Sequence, residues 1–165
     1  MNGPGPDQLP AVDGIVHPVL VVRSMAVALR FFVGTLGFRV TFDAPHDPAS
    51  LSEIFGIVPP PRVHAVVVAA PDGSELEIAE YLALARPARA STGDPSEPGL
   101  RQLSLRVREL DATVSHVGAR GYRFTGPIVS QPMPDGSTVR LAVCIGPEGI
   151  FVAFVEMGAL CEARW

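Results

Sequence analysis

Residues 70–81, APDGSELEIAEY, and residues 146–157, GPEGIFVAFVEM, are two versions of one stretch, aligned without a gap. Pro71 matches Pro147, Gly73 matches Gly149, Leu76 matches Val152, and Glu80 matches Glu156. In each copy a Pro-acid-Gly turn launches a run of alternating side chains, the pattern of a strand leaving a tight turn. The copies part at one informative position. Glu77 in the first faces Ala153 in the second, so a carboxylate in one half corresponds to a methyl group in the other.

Working outward, the flanking chain repeats as well. HPVLVVRS begins at His17 and QLSLRVRE at Gln102, with Arg23 and Arg108 at the same offset in each. Each strand leads to a helical stretch that ends in Gly-aromatic-Arg, at Gly37-Phe38-Arg39 and at Gly121-Tyr122-Arg123. The chain therefore reads as an α+β protein made of two strand–helix–three-strand (βαβββ) modules. They occupy residues 14–81 and 99–157, between a loose tail at 1–13, a Pro- and Gly-containing linker at 82–98 and a short tail at 158–165.

The local signals fill in this plan. Ile15–Val22 is strand-like, and Pro18 within it points to an edge or a bulge because it cannot donate to a ladder. Ser24 is the expected N-cap of a helix over 25–36, stopped by Gly37, with a short strand at Phe38–Phe42. Residues 43–61 hold a short helical turn near Ser50–Phe55 between prolines, and Val63–Ala69 is a buried strand. In the second half, alternation over Leu100–Val107 places Gln102, Ser104 and Arg106 on one face and Leu103, Leu105 and Val107 on the other. A helix over 110–120 follows, then strands near Tyr122–Phe124, Thr138–Ile145 and Ile150–Glu156. Asp135 lies in the Pro134-Asp135-Gly136 turn before Thr138.

Bulk composition narrows the function classes. With 47% hydrophobic and 18% charged residues in 165, the chain can bury a real core. A net charge of −4 argues against a nucleic-acid binder. No apolar run reaches membrane-span length and the N-terminus lacks signal-peptide order, so the expected location is the cytoplasm. All 13 basic residues are arginine, which removes Schiff-base chemistry, lysine-anchored pyridoxal phosphate and a phosphate-loop lysine; no nucleotide motif is present. Cys144 and Cys161 have neither metal nor redox spacing and read as reduced thiols.

Taken together, His17-Pro18-Val19, Leu36-Gly37-Phe38, the Glu77 strand running into Glu80-Tyr81, Val107-Arg108-Glu109-Leu110-Asp111 and Gly146-Pro147-Glu148-Gly149 resemble the vicinal oxygen chelate superfamily. That superfamily includes glyoxalase I, methylmalonyl-CoA epimerase, extradiol dioxygenases and bleomycin-resistance proteins. The resemblance implies a cupped eight-stranded mixed sheet, a small-molecule ligand and a homodimer. It also implies metal ligands at four places, which fall here on His17, Glu77, Gln102 and Ala153. Ala153 cannot bind a metal, and Gln102 is a weak neutral ligand. Extradiol chemistry would need two histidines and a carboxylate at positions 17, 102 and 153, two of which are missing.

Two arrangements of the remaining site stay open. A single divalent ion could sit on His17, Glu77 and Gln102 with waters, or His17 and Glu77 could form a hydrogen-bonded pair without metal. A carboxylate in an apolar cup holds its proton more tightly than one in water and can serve as a general base, with His17 returning the proton. This suits an isomerase, epimerase, lyase or cyclase acting next to a carbonyl, for instance in specialised metabolism. The alternative is a drug-sequestering protein of the bleomycin-resistance kind. That function favours an aromatic-rich cleft, whereas only 7% of residues are aromatic and the one Trp is Trp165. Around the pair, Gln102, Ser104, Arg106, His64, Phe151 and Ala153 are the expected substrate contacts, with Val19, Val21 and Val155 as apolar wall or core. His46 in its loop and His116 on its helix are expected to be solvated.

Overall fold

In the computed structural model, residues 14–82, 99–134 and 136–158 are described. The first tail, the second tail from residue 159 onward, the linker from residue 83 onward and Asp135 lie outside these residues, and with them Cys161 and Trp165. The first module runs β1 (Val19–Val22), α1 (Met25–Leu29, continuing as a π-helix over Arg30–Thr35), β2 (Arg39–Pro45), α2 (Pro48–Phe55), β3 (Arg62–Ala69) and β4 (Glu75–Leu82). The second runs β5 (Gln102–Val107), α3 (Leu110–Ala119), β6 (Val129–Pro132), β7 (Thr138–Ile145) and β8 (Phe151–Met157). The eight strands form two four-stranded mixed sheets, ordered β1-β4-β3-β2 and β5-β8-β7-β6.

The internal alignment reappears in the register. Val19 pairs with Glu77 in parallel, and Ser104 pairs with Ala153 in parallel. Val67 lies across from Glu77, as Val143 lies across from Ala153. Alternation then gives each sheet two faces. Leu76, Ile78, Val66 and Val68 of the first sheet join Val152, Phe154, Ala142 and Cys144 of the second in a shared core. Phe31 and Phe32 of the first helix fill its centre, with Phe31 edge-on to Tyr122 of the other module at 4.7 Å. Each fully buried Phe contributes about 1.5–3 kcal/mol of transfer free energy, so this core holds the modules together. The opposite, inner face of the first sheet carries Glu77, Ala79, Val67 and Ala65.

Glu80 and Glu156 explain why the copies agree where they do. Glu80 accepts a hydrogen bond from the backbone N–H of Met25 at 3.1 Å, and Glu156 accepts one from that of Leu110 at 2.9 Å. In both modules the last strand therefore supplies a carboxylate to the unpaired N–H groups and positive end of the module's own helix. Ser24 adds a conventional cap by accepting from Val27 at 3.4 Å.

Several local expectations need correction. The helix at 25–36 is α-helical only to Leu29; the Thr35 hydroxyl donates to the Arg30 carbonyl five residues back, and the Leu36 N–H donates to Phe31 over the same span. Tyr122–Phe124 forms a single bridge, Phe124 to Cys144, rather than a strand, and the second module's outer strand is Val129–Pro132. The strand expected at Phe38–Phe42 runs from Arg39 to Pro45 through an irregularity between Val40 and Phe42. Pro18 sits just outside edge strand β1, with its carbonyl still accepting from the Glu77 N–H at 3.0 Å. No helix among the described residues is long and apolar enough to cross a membrane.

Candidate functional site

β1 and β4 bring His17 and Glu77 together. Continuing the alternation of β1 by two residues puts His17 on the inner face, where its Nε2 lies 3.0 Å from Glu77 Oε2. A second imidazole reaches the same carboxylate, with His46 Nε2 3.0 Å from Glu77 Oε1. An ionised carboxylate only accepts, so at both contacts the imidazole N–H donates. Each oxygen still has a lone pair to offer. Glu77 is 15% exposed in its side chain, His17 21% and His46 36%, so the trio is sheltered yet open to a ligand. His17 Nδ1 is buried with no hydrogen-bond partner.

His46 was expected in solvent, and the packing of residues 43–61 explains why it is not. Asp47 caps α2 by accepting from Ser50 N at 3.0 Å, Pro48 opens the helix, and Gly56 ends it with φ 65°. The helix then lays Leu51 onto Val63, Ala79 and Tyr81, on the inner face of the first sheet. The His46 backbone N–H donates to the Val63 carbonyl at 2.9 Å, which holds this stretch of chain beside β3 and within reach of Glu77. The available signal was a histidine beside a capped helix with one apolar stripe. It gave no indication of which sheet face that stripe would cover.

The other expected residues separate. His64 points to the outer face, because β3 pairs it with Glu80; its Nε2–H donates to Asp43 at 2.7 Å, away from Glu77. It is the counterpart of Arg140, which pairs with Glu156 across β7 and β8, and it is not an inner-face substrate contact. Gln102, Ser104 and Arg106 are exposed, and the Gln102 amide N–H donates to Ser104 at 2.9 Å. Phe151 and Ala153 share their sheet face; Phe151 is half-buried and Ala153 only 1% exposed. His116 is exposed, as expected, and is also engaged. Its Nε2–H donates to the Thr35 carbonyl at 2.9 Å, and its Nδ1 accepts from Arg120 at 2.9 Å. Cys144 is wholly buried, and desolvation pushes its thiol up to about 11, so it is protonated and inert near neutrality.

The donor set does not reproduce a four-ligand metal site. Ala153 offers no donor atom, Gln102 engages Ser104, and among the described residues no three His, Cys, Asp or Glu side chains are arranged to hold a metal ion. What the structure does bring together is one carboxylate and two imidazoles, from His17, His46 and Glu77.

Duplicated βαβββ modules and a His–carboxylate pair on neighbouring strands define a protein of the glyoxalase class. The sequence profile of the Glyoxalase/Bleomycin resistance protein/Dioxygenase superfamily matches residues 14–154, and the chain belongs to that superfamily. No curated protein matches it significantly. Among solved structures, a glyoxalase family protein from Bacillus cereus superposes with a TM-score of 0.75 at 23% identity, over 94% of this chain and 99% of that one. A glyoxylase/bleomycin resistance protein/dioxygenase domain from Frankia sp. EAN1pec gives 0.63 at 17% identity, over 90% and 95%. An antibiotic binding protein from Streptomyces sp. CB03234 gives 0.60 at 20% identity, over 91% and 100%. These identities support a common fold and leave the reaction to the residues themselves.

Proposed function

We propose that the protein is a small-molecule enzyme that moves a proton next to a carbonyl group, as an isomerase, epimerase, lyase or cyclase, with Glu77 as the base. The observation that carries this reading is one carboxylate held at both oxygens by imidazole N–H groups 3.0 Å away, on a sheltered apolar sheet face. In such a reaction Glu77 takes the proton from the carbon beside the carbonyl, and the bonding pair moves onto the carbonyl oxygen as an enolate. Glu77 or His17 then returns a proton to carbon, or the enolate expels a leaving group or closes a ring. His17 and His46 fix the carboxylate plane before substrate arrives, which removes a reorganisation cost from the barrier. The expected setting is a cytoplasmic homodimer, the state common in the superfamily.

The experiment is carbon-bound hydrogen exchange in D2O across 2-oxo acids, 1,3-dicarbonyls and acyl thioesters, followed by proton NMR. At least one class should lose its α-proton faster than in buffer, and Glu77→Gln should slow that exchange by about 10²–10⁴-fold. Equal exchange in the variant would remove Glu77 as the base. A second reading, antibiotic sequestration, is supported by the Streptomyces neighbour and by Val19 and Val21, which are half-exposed beside the site. It gains if no compound exchanges and an aromatic antibiotic binds at micromolar concentration with Glu77→Gln unaffected.

A further inference from the structure

The two modules meet about a pseudo-twofold relation, and one of its two equivalent contacts is closed while the other is open. In the closed contact, Glu148 in the β7–β8 turn accepts from the Arg23 backbone N–H at 2.8 Å and pairs with its guanidinium at 3.3 Å. The internal alignment makes Asp72 the counterpart of Glu148, and Arg108 the counterpart of Arg23. That second pair is not formed. Asp72 is one methylene shorter than Glu148, and its carboxylate accepts instead from the Ser74 N–H at 3.0 Å, which holds it below the ordinary carboxylate range; Arg106 contributes less. Arg108 makes no hydrogen bond or ion pair among the described residues.

Where this contact fails to close, a cavity of about 850 Å³ opens between the modules. It runs along β5, with Leu36 and Phe38 from one module and Val117 and Phe154 from the other as apolar walls, and Arg108 among its lining groups. Of the other nearby cations, Arg106 lines the cleft beside Asp72, whose charge it feels, and both His116 ring nitrogens are bonded. The volume falls within the usual range for small-molecule sites, which pair apolar walls with a few polar anchors. Neither His17, His46 nor Glu77 lines it.

We infer that this cleft between the modules is a second ligand site, for a flat apolar molecule carrying one carboxylate, with Arg108 as the anchor for the anion. A guanidinium suits that role because its planar fork meets a carboxylate with two parallel hydrogen bonds. Leu36, Leu105 and Val107, half-buried along the cleft, supply the apolar surface on which an aromatic body can lie.

The probe is 1-naphthoate, titrated into the full-length protein by calorimetry and by amide NMR. It should bind one to one and shift amide signals at Val107, Arg108 and Ala112. Arg108→Ala should weaken binding at least tenfold, and Ala112→Trp, which fills the cleft from α3, should abolish it. Glu77→Gln should leave the affinity unchanged, which separates this site from the proposed catalytic one whether or not that reading holds. Full affinity in both Arg108→Ala and Ala112→Trp would overturn the inference. So would shifts confined to the Glu77 strand, or no binding at millimolar probe.

Discussion

The two halves of this chain share a backbone and differ in what they do with it. Positions 80 and 156 hold the same residue because each caps a helix that the module cannot do without. Positions 77 and 153 differ because nothing in the fold requires a carboxylate there. In the first half Glu77 meets two imidazoles; in the second Ala153 is buried beside Ser104 and Val143. Duplication thus sorts roles within a single sequence. What both copies keep supports the architecture, and what one copy alone has gained or lost is free to carry chemistry.

The largest expected effect tests that sorting directly. Glu77→Gln should cost about 10²–10⁴ in α-proton exchange while leaving the urea midpoint close to wild type, since the amide is isosteric. The reciprocal change, Ala153→Glu, should instead appear in stability. Position 153 is 1% exposed and faces no imidazole, so a carboxylate there must desolvate without a partner or stay protonated. A loss of about 3 kcal/mol in urea unfolding is expected. A variant as stable as wild type would mean that the second half can still hold an acid.

Much of the fold was legible from the repeat alone, since a gap-free alignment predicts the same register in both sheets, and Val19–Glu77 and Ser104–Ala153 obey it. The His17–Glu77 pair followed from the same logic. His46 and His64 were misplaced for a shared reason: a histidine's role depends on which sheet face it meets, and that rests on contacts distant in sequence. His64 lies in an apolar run, where its neighbours do not reveal which way it points. His46 depends on α2 folding back across the first sheet, an excursion with no counterpart in the second module. Val129–Pro132 was missed because an outer strand exposed at every position shows no alternation to read.

His46 is accordingly where the comparison can be sharpened. It contacts Glu77 from outside the repeat, so His46→Ala should slow exchange about tenfold, chiefly in kcat, by freeing one carboxylate oxygen to wander. His46→Gln should recover most of the rate, because the amide N–H can still donate to Oε1. A loss of stability without rescue by Gln would make His46 a packing residue only.

The shared caps should give smaller, paired effects. Glu80→Ala and Glu156→Ala should each cost about 1 kcal/mol, the usual size for a lost cap, with exchange at the proposed Glu77 site unchanged. Glu156→Ala should be the worse of the two. Its other oxygen accepts from Arg140 at 2.7 Å, and that guanidinium also binds Asp111, the first acidic residue of α3. If Glu80→Ala alone abolished exchange, the division between structural and chemical positions would fail.

The smallest effect lies in the turn that closes one contact between the modules. Glu148 adopts φ 56°, the left-handed region that costs a side-chain-bearing residue about 1–2 kcal/mol and costs glycine little. Its two bonds to Arg23 offset that strain. Glu148→Ala loses the bonds and keeps the strain, whereas Glu148→Gly loses the bonds and relieves it. Urea melts should therefore find the Gly variant about 1 kcal/mol more stable than the Ala variant and close to wild type. Equal stability of the two would mean that the turn relaxes once Arg23 is released, and that the ion pair imposes the left-handed backbone rather than compensating for it.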